Sequence, residues 1–571
     1  MKKRIAGFML CAMMLCISLL TGCSLVETNY KNYYTQIVAV VEDKDGNKIE
    51  ITKQELMYAY QGSGYRYAQI GLSKEDAYKR TLTSVENTKI IVNVAEKEMG
   101  ISMDGTGLSE KEKTYLYQEV VDAVNSNFEY FYNEIVKDSD ESENATSNSI
   151  TFKGYTKNAT FDGTKIVREN LSNKLLSDFT YTRARDINNK EDKNLIYENF
   201  IESLVTKEHG KAFENYVRNL KANEYGLGLS TNQKDIFMRW IDRLYKSSYE
   251  NYVYSKYNES ILDEESTNVT LSKIANLYAS KVRAGYTQYV IENDSAYDST
   301  LSSSLDKMYY FKDGVDDNKY FTVANILIQF DDDLQAKYNA FTNKYEKGDK
   351  KKYSWEDYQS DINGLYNQLI PTVRKYNADT KAYEVVENAN MTVEEVYSEI
   401  KTALANAQST DKVNVVGDQI NEFIYKYNQD PGMHNATNNY VIGVDKNGEL
   451  VSNSFVDSFN EGAIELYDNG NAKIGDVSGY VKTNYGIHFL IYTGKCQNLF
   501  EGIDSNFNLS EDAVSVLAST RVNPLVDKTY FDVMYDEIYK DNTSSFQESN
   551  LSVLKQDFTV TEYPSRIKDL F

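Results

Sequence analysis

Histidine and cysteine supply much of the acid–base, nucleophilic and metal chemistry of proteins, and both are scarce in this 571-residue chain, with three of one and four of the other. His209, His434 and His488 are too scattered to form a zinc site by spacing. Cys11, Cys16 and Cys23 crowd the N-terminal end and leave Cys496 alone, so neither a disulfide framework nor a thiolate cluster is expected. His488 differs from the other two in its setting. It follows Val481-Lys482-Thr483 and a Tyr485-Gly486 turn, in a run where Ile487, Phe489 and Ile491 point to one face and His488 and Leu490 to the other. This pattern predicts a hairpin closing a sheet, with a histidine inside the domain that needs a hydrogen-bonding partner there. Asp43, Asp45 and Asn47 begin with the spacing of a calcium loop. Glycine stands at the fourth position of that loop, however, and Lys48 at the sixth, so a plain turn is expected. No metal and no cofactor is expected.

The elements around His488 are legible in part. Phe321 to Phe330 reads as a strand from its β-branched and aromatic content. A charged segment from Asp331 to about Asn390 follows and reads as an ordered helical insertion. Thr392 and Glu395 form a capping box for a helix with Val393, Val396, Ile400 and Leu404 on one face. Ile420, Phe423, Ile424 and Tyr427 mark another helix, closed by Asp430-Pro431-Gly432. Tyr440 to Val444 reads as a strand meeting an Asn447-Gly448 hairpin turn. Cys496, just beyond the closing hairpin with no histidine beside it, reads as a small structural residue.

Upstream, Ile37 to Val41 and Ile49 to Ile51 read as a short hairpin, and Thr52 to Glu55 as a capping box opening a helix. Leu82, Val85, Ile91, Ala95 and Met99 recur at helical spacing and stop at Gly100. Leu116, Val120, Val124, Phe128 and Phe131 mark a further helix. So do Phe213, Val217 and Leu220, and after Tyr225-Gly226-Leu227 so do Ile236, Trp240, Ile241 and Leu244. Asp138 to Ser149 reads as a solvated loop. After Leu499 helical spacing returns at Leu525, Phe531, Met534 and Ile538.

Lys2, Lys3 and Arg4 precede an apolar run from Ile5 to Leu20, too short to span a membrane comfortably and ordered like a secretory signal. Leu20-Thr21-Gly22-Cys23 looks like a bacterial lipobox. That resemblance implies a mature chain beginning at Cys23, lipidated there and held on the extracytoplasmic face of the cell membrane. A net charge of −23 repels nucleic acid and anionic headgroups, so the lipid is the expected membrane contact and nucleic acid is excluded as a partner.

Gly475-Asp476-Val477-Ser478, the Val-x-Thr strand and Gly486-Ile487-His488 occur in the order of the closing hairpin of parvulin-type peptidyl-prolyl isomerases, which this stretch resembles. Ser454 to Ala463 resembles the family's Met-Val-x-x-Phe-x-x-Ala helix, with Phe455 at the Met position and Phe459 at the Phe position. The Asp430-Pro431-Gly432 region matches loosely. Asn325 occupies a place where the family usually carries histidine. The N-terminal hairpin, Thr-capped helix and Ala95 to Ser102 ending look like the chaperone module of secreted parvulin foldases.

The implied fold is α+β, a mostly helical chaperone-like domain plus a small parvulin-like domain of mainly antiparallel sheet flanked by helices. The implied divisions are a signal peptide over 1–22, a helical region over 23–314, an isomerase-like domain over 315–497 with an insertion near 331–390, and C-terminal helices over 498–571 that pack on the helical region. The resemblance implies His488, Asn325 and Tyr440 as the catalytic set, Phe455 and Phe459 as the proline pocket, and unfolded or newly secreted polypeptides as partners. X-Pro isomerisation needs no nucleophile. A dry apolar pocket and hydrogen bonds that favour the twisted amide suffice. The residues alone favour Phe455 and Phe459 as core and His488 as a satisfied core histidine; the hairpin and helix in family order turn the reading toward a site. The replacement at Asn325 also leaves open a holdase that has lost catalysis. A solute-binding lipoprotein would need strands and helices alternating in two lobes, and few strands precede residue 321.

Overall fold

The computed structural model describes residues 33–137, 149–151, 159–163, 165–168, 174–176, 179–223, 232–312, 319–348, 350–378, 380–434, 439–451, 453–501 and 507–571. The leader, Cys23, Asp138 to Asn148 and Tyr225-Gly226-Leu227 lie outside them. The fold is α+β: about 58% of the described residues are helical, and several small antiparallel sheets accompany them. It divides into two compact units: residues 1–145, 170–268 and 541–571, and residues 146–169 and 269–540. The sequence reading placed divisions at 315 and 498. In the structure the helix Leu271–Tyr286 and residues up to 540 belong with the second unit, and the second division falls inside the helix Tyr530–Leu554. Phe531, Met534 and Ile538 accordingly pack in a core of the second unit, together with Cys496.

In the first unit, strand Ile37–Asp43 is flanked by Lys48–Thr52 and by Phe558–Glu562, so the first described strand pairs antiparallel with the last. This final strand lies where only helical periodicity was expected. Thr52 caps the helix Lys53–Ala59 through a reciprocal bond pair with Glu55, worth about 1 kcal/mol. Ser73 caps Lys74–Met99, which ends on Gly100 in the left-handed region. The expected apolar stripes of the helices Glu110–Lys137, Lys207–Asn223 and Gln233–Ser260 meet in one core. There the Trp240 indole donates to the Tyr216 hydroxyl at 2.8 Å.

The second unit holds a four-stranded antiparallel sheet of β1 (Lys319–Gln329), β4 (Tyr440–Val444), β5 (Val481–Thr483) and β6 (Gly486–Lys495), in the order β5-β6-β1-β4. Between β1 and β4 the chain forms α1 (Asp332–Lys347), α2 (Trp355–Tyr366), β2 (Arg374–Asn377), β3 (Ala382–Val385), α3 (Val393–Gln408) and α4 (Val413–Tyr427). Between β4 and β5 lies α5 (Asp457–Tyr467). The insertion is therefore not wholly helical. Its β2–β3 hairpin forms a second sheet, to which Ser149–Thr151 adds a strand on β3.

Both faces of the main sheet are covered, which explains why β1 is buried along nearly its whole length. Ile326, Ile328, Ile487, Phe489 and Ile491 pack against α3 and α4 through Val396, Ile400, Ile420 and Phe423. Phe321, Val323, Leu490 and Tyr492 pack against α5 through Phe459, Ala463 and Tyr467. A fully buried Phe such as Phe489 contributes about 2–3 kcal/mol by leaving water. The Asn447-Gly448 turn forms, but the returning chain meets β4 only as a single bridge between Val444 and Leu450.

Candidate functional site

Strand β4 covers only part of the β1 edge, pairing with Lys319 to Val323. Beyond that point the turn after α4 completes the edge. Asn428 Oδ1 accepts the Leu327 N–H at 2.8 Å, and the Gln429 N–H donates to the Leu327 carbonyl at 3.0 Å. A strand that runs past its neighbour would otherwise bury unpaired backbone groups, and this turn satisfies them. The same Asn428 side chain accepts the Asp430 N–H at 3.0 Å and donates to the Asp430 carbonyl at 2.9 Å. The backbone of Asp430 is thereby held beside β1.

From Asp430 a chain of hydrogen bonds crosses the sheet. Its Oδ2 accepts from Asn325 Nδ2 at 2.8 Å and from the Tyr440 hydroxyl at 2.7 Å, while Oδ1 accepts the Gly432 N–H at 2.9 Å. Asn325 Oδ1 stands 3.0 Å from His488 Nδ1, and His488 Nε2 stands 2.8 Å from Thr483 Oγ1. The directions follow from the ends. A carboxylate only accepts, so Asn325 turns its amide nitrogen to Asp430 and its oxygen to His488. Nδ1 of the imidazole must then carry the proton, and Nε2 accepts from the Thr483 hydroxyl. That hydroxyl in turn accepts the Tyr485 N–H at 3.1 Å.

Asn325 and His488 are 1% and 5% exposed. Burial pushes the His488 ring down to about 4, against a smaller opposing pull from the Asp430 charge, so the imidazole is neutral at pH 7. Burial and the Asp430 carboxylate together hold the Tyr440 hydroxyl well above the usual phenol range. Any larger residue at Gly432 would push the Tyr440 hydroxyl away from Asp430. A Cβ there would meet the Tyr440 hydroxyl oxygen at 2.4 Å.

Above this polar floor stand three aromatic rings. Phe459, on α5, meets the His488 ring edge to face with centroids 5.4 Å apart, and Phe455 lies 5.0 Å from both Phe459 and Tyr440. Phe455 precedes α5 and does not lie on it. Asn453 accepts its N–H, and Asn460 donates to its carbonyl. Phe459 is buried and Phe455 only partly so.

The structure thus brings His488, Asn325, Tyr440, Phe455 and Phe459 together. Sequence reading missed Asp430, Thr483 and Asn428 as members. The signals were present, since Asp430 opens the Asp-Pro-Gly turn and Thr483 ends the hairpin strand. Among the described residues no group of three His, Cys, Asp or Glu side chains is placed to hold a metal ion. The Thr483 hydroxyl that donates to the imidazole is itself buried, 3% exposed. The arrangement offers an aromatic surface over a neutral, fully engaged imidazole.

Compared with known protein families, curated proteins and solved structures, the chain gives no match.

The buried imidazole predicts a pH dependence. Its folded value lies below the unfolded value of 6.5, so the unfolded chain binds the extra proton first and stability falls as pH drops from 6.5 through about 4. Between pH 7 and pH 4 this group should cost the second unit about 3 kcal/mol. Denaturant melts of the wild type and of His488→Gln at the two pH values check it. The wild type should lose that much more than the variant, and equal losses would show that His488 is not a desolvated base.

Proposed function

We propose that the protein is a lipid-anchored extracytoplasmic foldase that catalyses cis/trans isomerisation of X-Pro bonds and assists the folding of secreted polypeptides. The observation that carries this reading is the convergence of five residues, from four separate segments of the chain, on one face of the β5-β6-β1-β4 sheet. The elements in which the parvulin resemblance resides, a strand, helices, a strand, a helix and a closing hairpin, form one antiparallel sheet with its covering helices.

The chemistry fits what isomerisation asks. Rotation about an X-Pro bond is slow because it disrupts amide resonance, at a barrier of roughly 18–20 kcal/mol. Phe455, Phe459 and Tyr440 would take the proline ring and exclude water, which favours the less polar twisted amide. His488, held neutral by burial, would support the floor without presenting a charge that must be desolvated. The asparagine at position 325 is compatible with this role. It accepts from one neighbour and donates to the next, as a neutral imidazole also does. The anchor is Cys23, and no helix among the described residues is long and apolar enough to cross a membrane.

Two measurements test the reading. Phe459→Ala should slow isomerisation of a Phe-Pro or Leu-Pro peptide by about tenfold or more while suppression of client aggregation stays near wild type, because holding spreads over a broad apolar surface. Truncating a buried Phe can cost about 3–5 kcal/mol, so thermal melting must first show the variant folded. A wild-type protein with no acceleration over the uncatalysed rate would replace the enzyme reading by the holdase. For the anchor, fatty-acid labelling should be lost in Cys23→Ala, and label retained on that variant would overturn the assignment.

A further inference from the structure

The insertion between β1 and α3 reaches the site at two places. Tyr366, the last residue of α2, is buried and donates its hydroxyl to the Thr483 carbonyl at 2.7 Å. Arg374, the first residue of β2, is buried and donates from Nη1 to the Asn428 carbonyl at 2.9 Å. Thr483 is the residue whose side chain pairs with His488 Nε2. Asn428 is the residue whose side chain fixes the backbone of Asp430. In the hydrogen-bond chain Thr483–His488–Asn325–Asp430, Tyr366 therefore ends on one terminus, Thr483, and Arg374 on Asn428, the residue that holds the backbone of the other terminus, Asp430.

Arg374 is an expensive choice for mere packing. Among the described residues no carboxylate pairs with it, and its Nε is buried without an acceptor. Burial lowers its ionisation only to about 10, so it remains a cation at neutral pH. What compensates the charge is its place at the carbonyl end of α4, whose C-cap is Asn428. An apolar side chain would fill the space at less cost. It would not grip that carbonyl, which lies two residues before Asp430.

We propose that the insertion is a positioning clamp for the site, with Tyr366 holding the His488 end of the hydrogen-bond chain and Arg374 holding the Asp430 end. This deepens the isomerase reading and rests on it. Both are positioning residues, acting on the site through backbone carbonyls that neither would share with a substrate.

The test uses the full chain with Tyr366→Phe, Arg374→Met and Arg374→Lys, read by isomerisation kinetics and by the NMR titration of the His488 ring, which is one of only three histidines to resolve. With the clamp released, kcat should fall about tenfold with KM little changed. The His488 midpoint should rise by about one unit or more toward its ordinary value as water reaches the ring. Arg374→Lys, which keeps a cationic donor, should recover part of both. Folded Tyr366→Phe and Arg374→Met proteins with wild-type kcat and a wild-type His488 midpoint would overturn the clamp. If Arg374→Met fails to fold, Tyr366→Phe decides, since it removes a single oxygen. If the wild type shows no isomerase activity, the functional reading fails, yet the His488 titration still decides the clamp. A shifted midpoint upholds it, and an unshifted one overturns it.

Discussion

A carboxylate can accept hydrogen bonds but not donate them, and in this protein that asymmetry at Asp430 orders the site. With Oδ2 taken by Tyr440 and Asn325, the Asn325 amide has one orientation, its oxygen faces His488, and the imidazole has one tautomer. The proton donors therefore run in a single direction from Thr483 through His488 and Asn325 to Asp430. Burial acts with this order, since a ring nitrogen that is already satisfied as a neutral acceptor gains little from a second proton in a dry site.

The fold exists around that chain in a specific sense. Helices α3 and α4 seal one face of the sheet with aliphatic and aromatic side chains, and α5 seals the other with Phe459, Ala463 and Tyr467. Only where β4 stops short of the end of β1 is there room for a turn, and Asn428 and Gln429 use it to pair the Leu327 backbone. The edge that would have been a weakness of the sheet becomes the mount for the acidic residue of the site. Gly432 allows Tyr440 to close over it.

How much of this was legible beforehand depends on the range of the interaction. Alternation along Ile487 to Ile491 is a local signal, and it separated His488 from its neighbours on the opposite face. The capping boxes at Thr52 and Thr392 are equally local and are both present. Asp430 was visible only as part of a turn, because its role arises from a strand one hundred residues earlier meeting that turn in space. The hairpin Arg374 to Val385 was hidden for a similar reason. Its strands are four residues long and mix Arg, Lys, Glu and Asn with tyrosine, so no period marks them, and the third strand of their sheet comes from Ser149 to Thr151. The last strand, Phe558 to Glu562, did carry a β-branched run, Thr559-Val560-Thr561. The strong helical spacing before it masked that signal. Phe455 lies two residues ahead of its expected helix, which begins after Val456, yet it still reaches Phe459 and Tyr440.

The protonation pattern of His488 is the most direct measure of the account, because every other assignment in the site is tied to it. Long-range ¹H–¹⁵N correlation spectra of the histidine-labelled protein at pH 7 report which ring nitrogen carries the proton. The structure predicts a neutral ring for His488, protonated on Nδ1 and bare on Nε2. A proton on Nε2, or a doubly protonated ring at that pH, would contradict the hydrogen-bond order from Thr483 to Asp430 and with it the site described here.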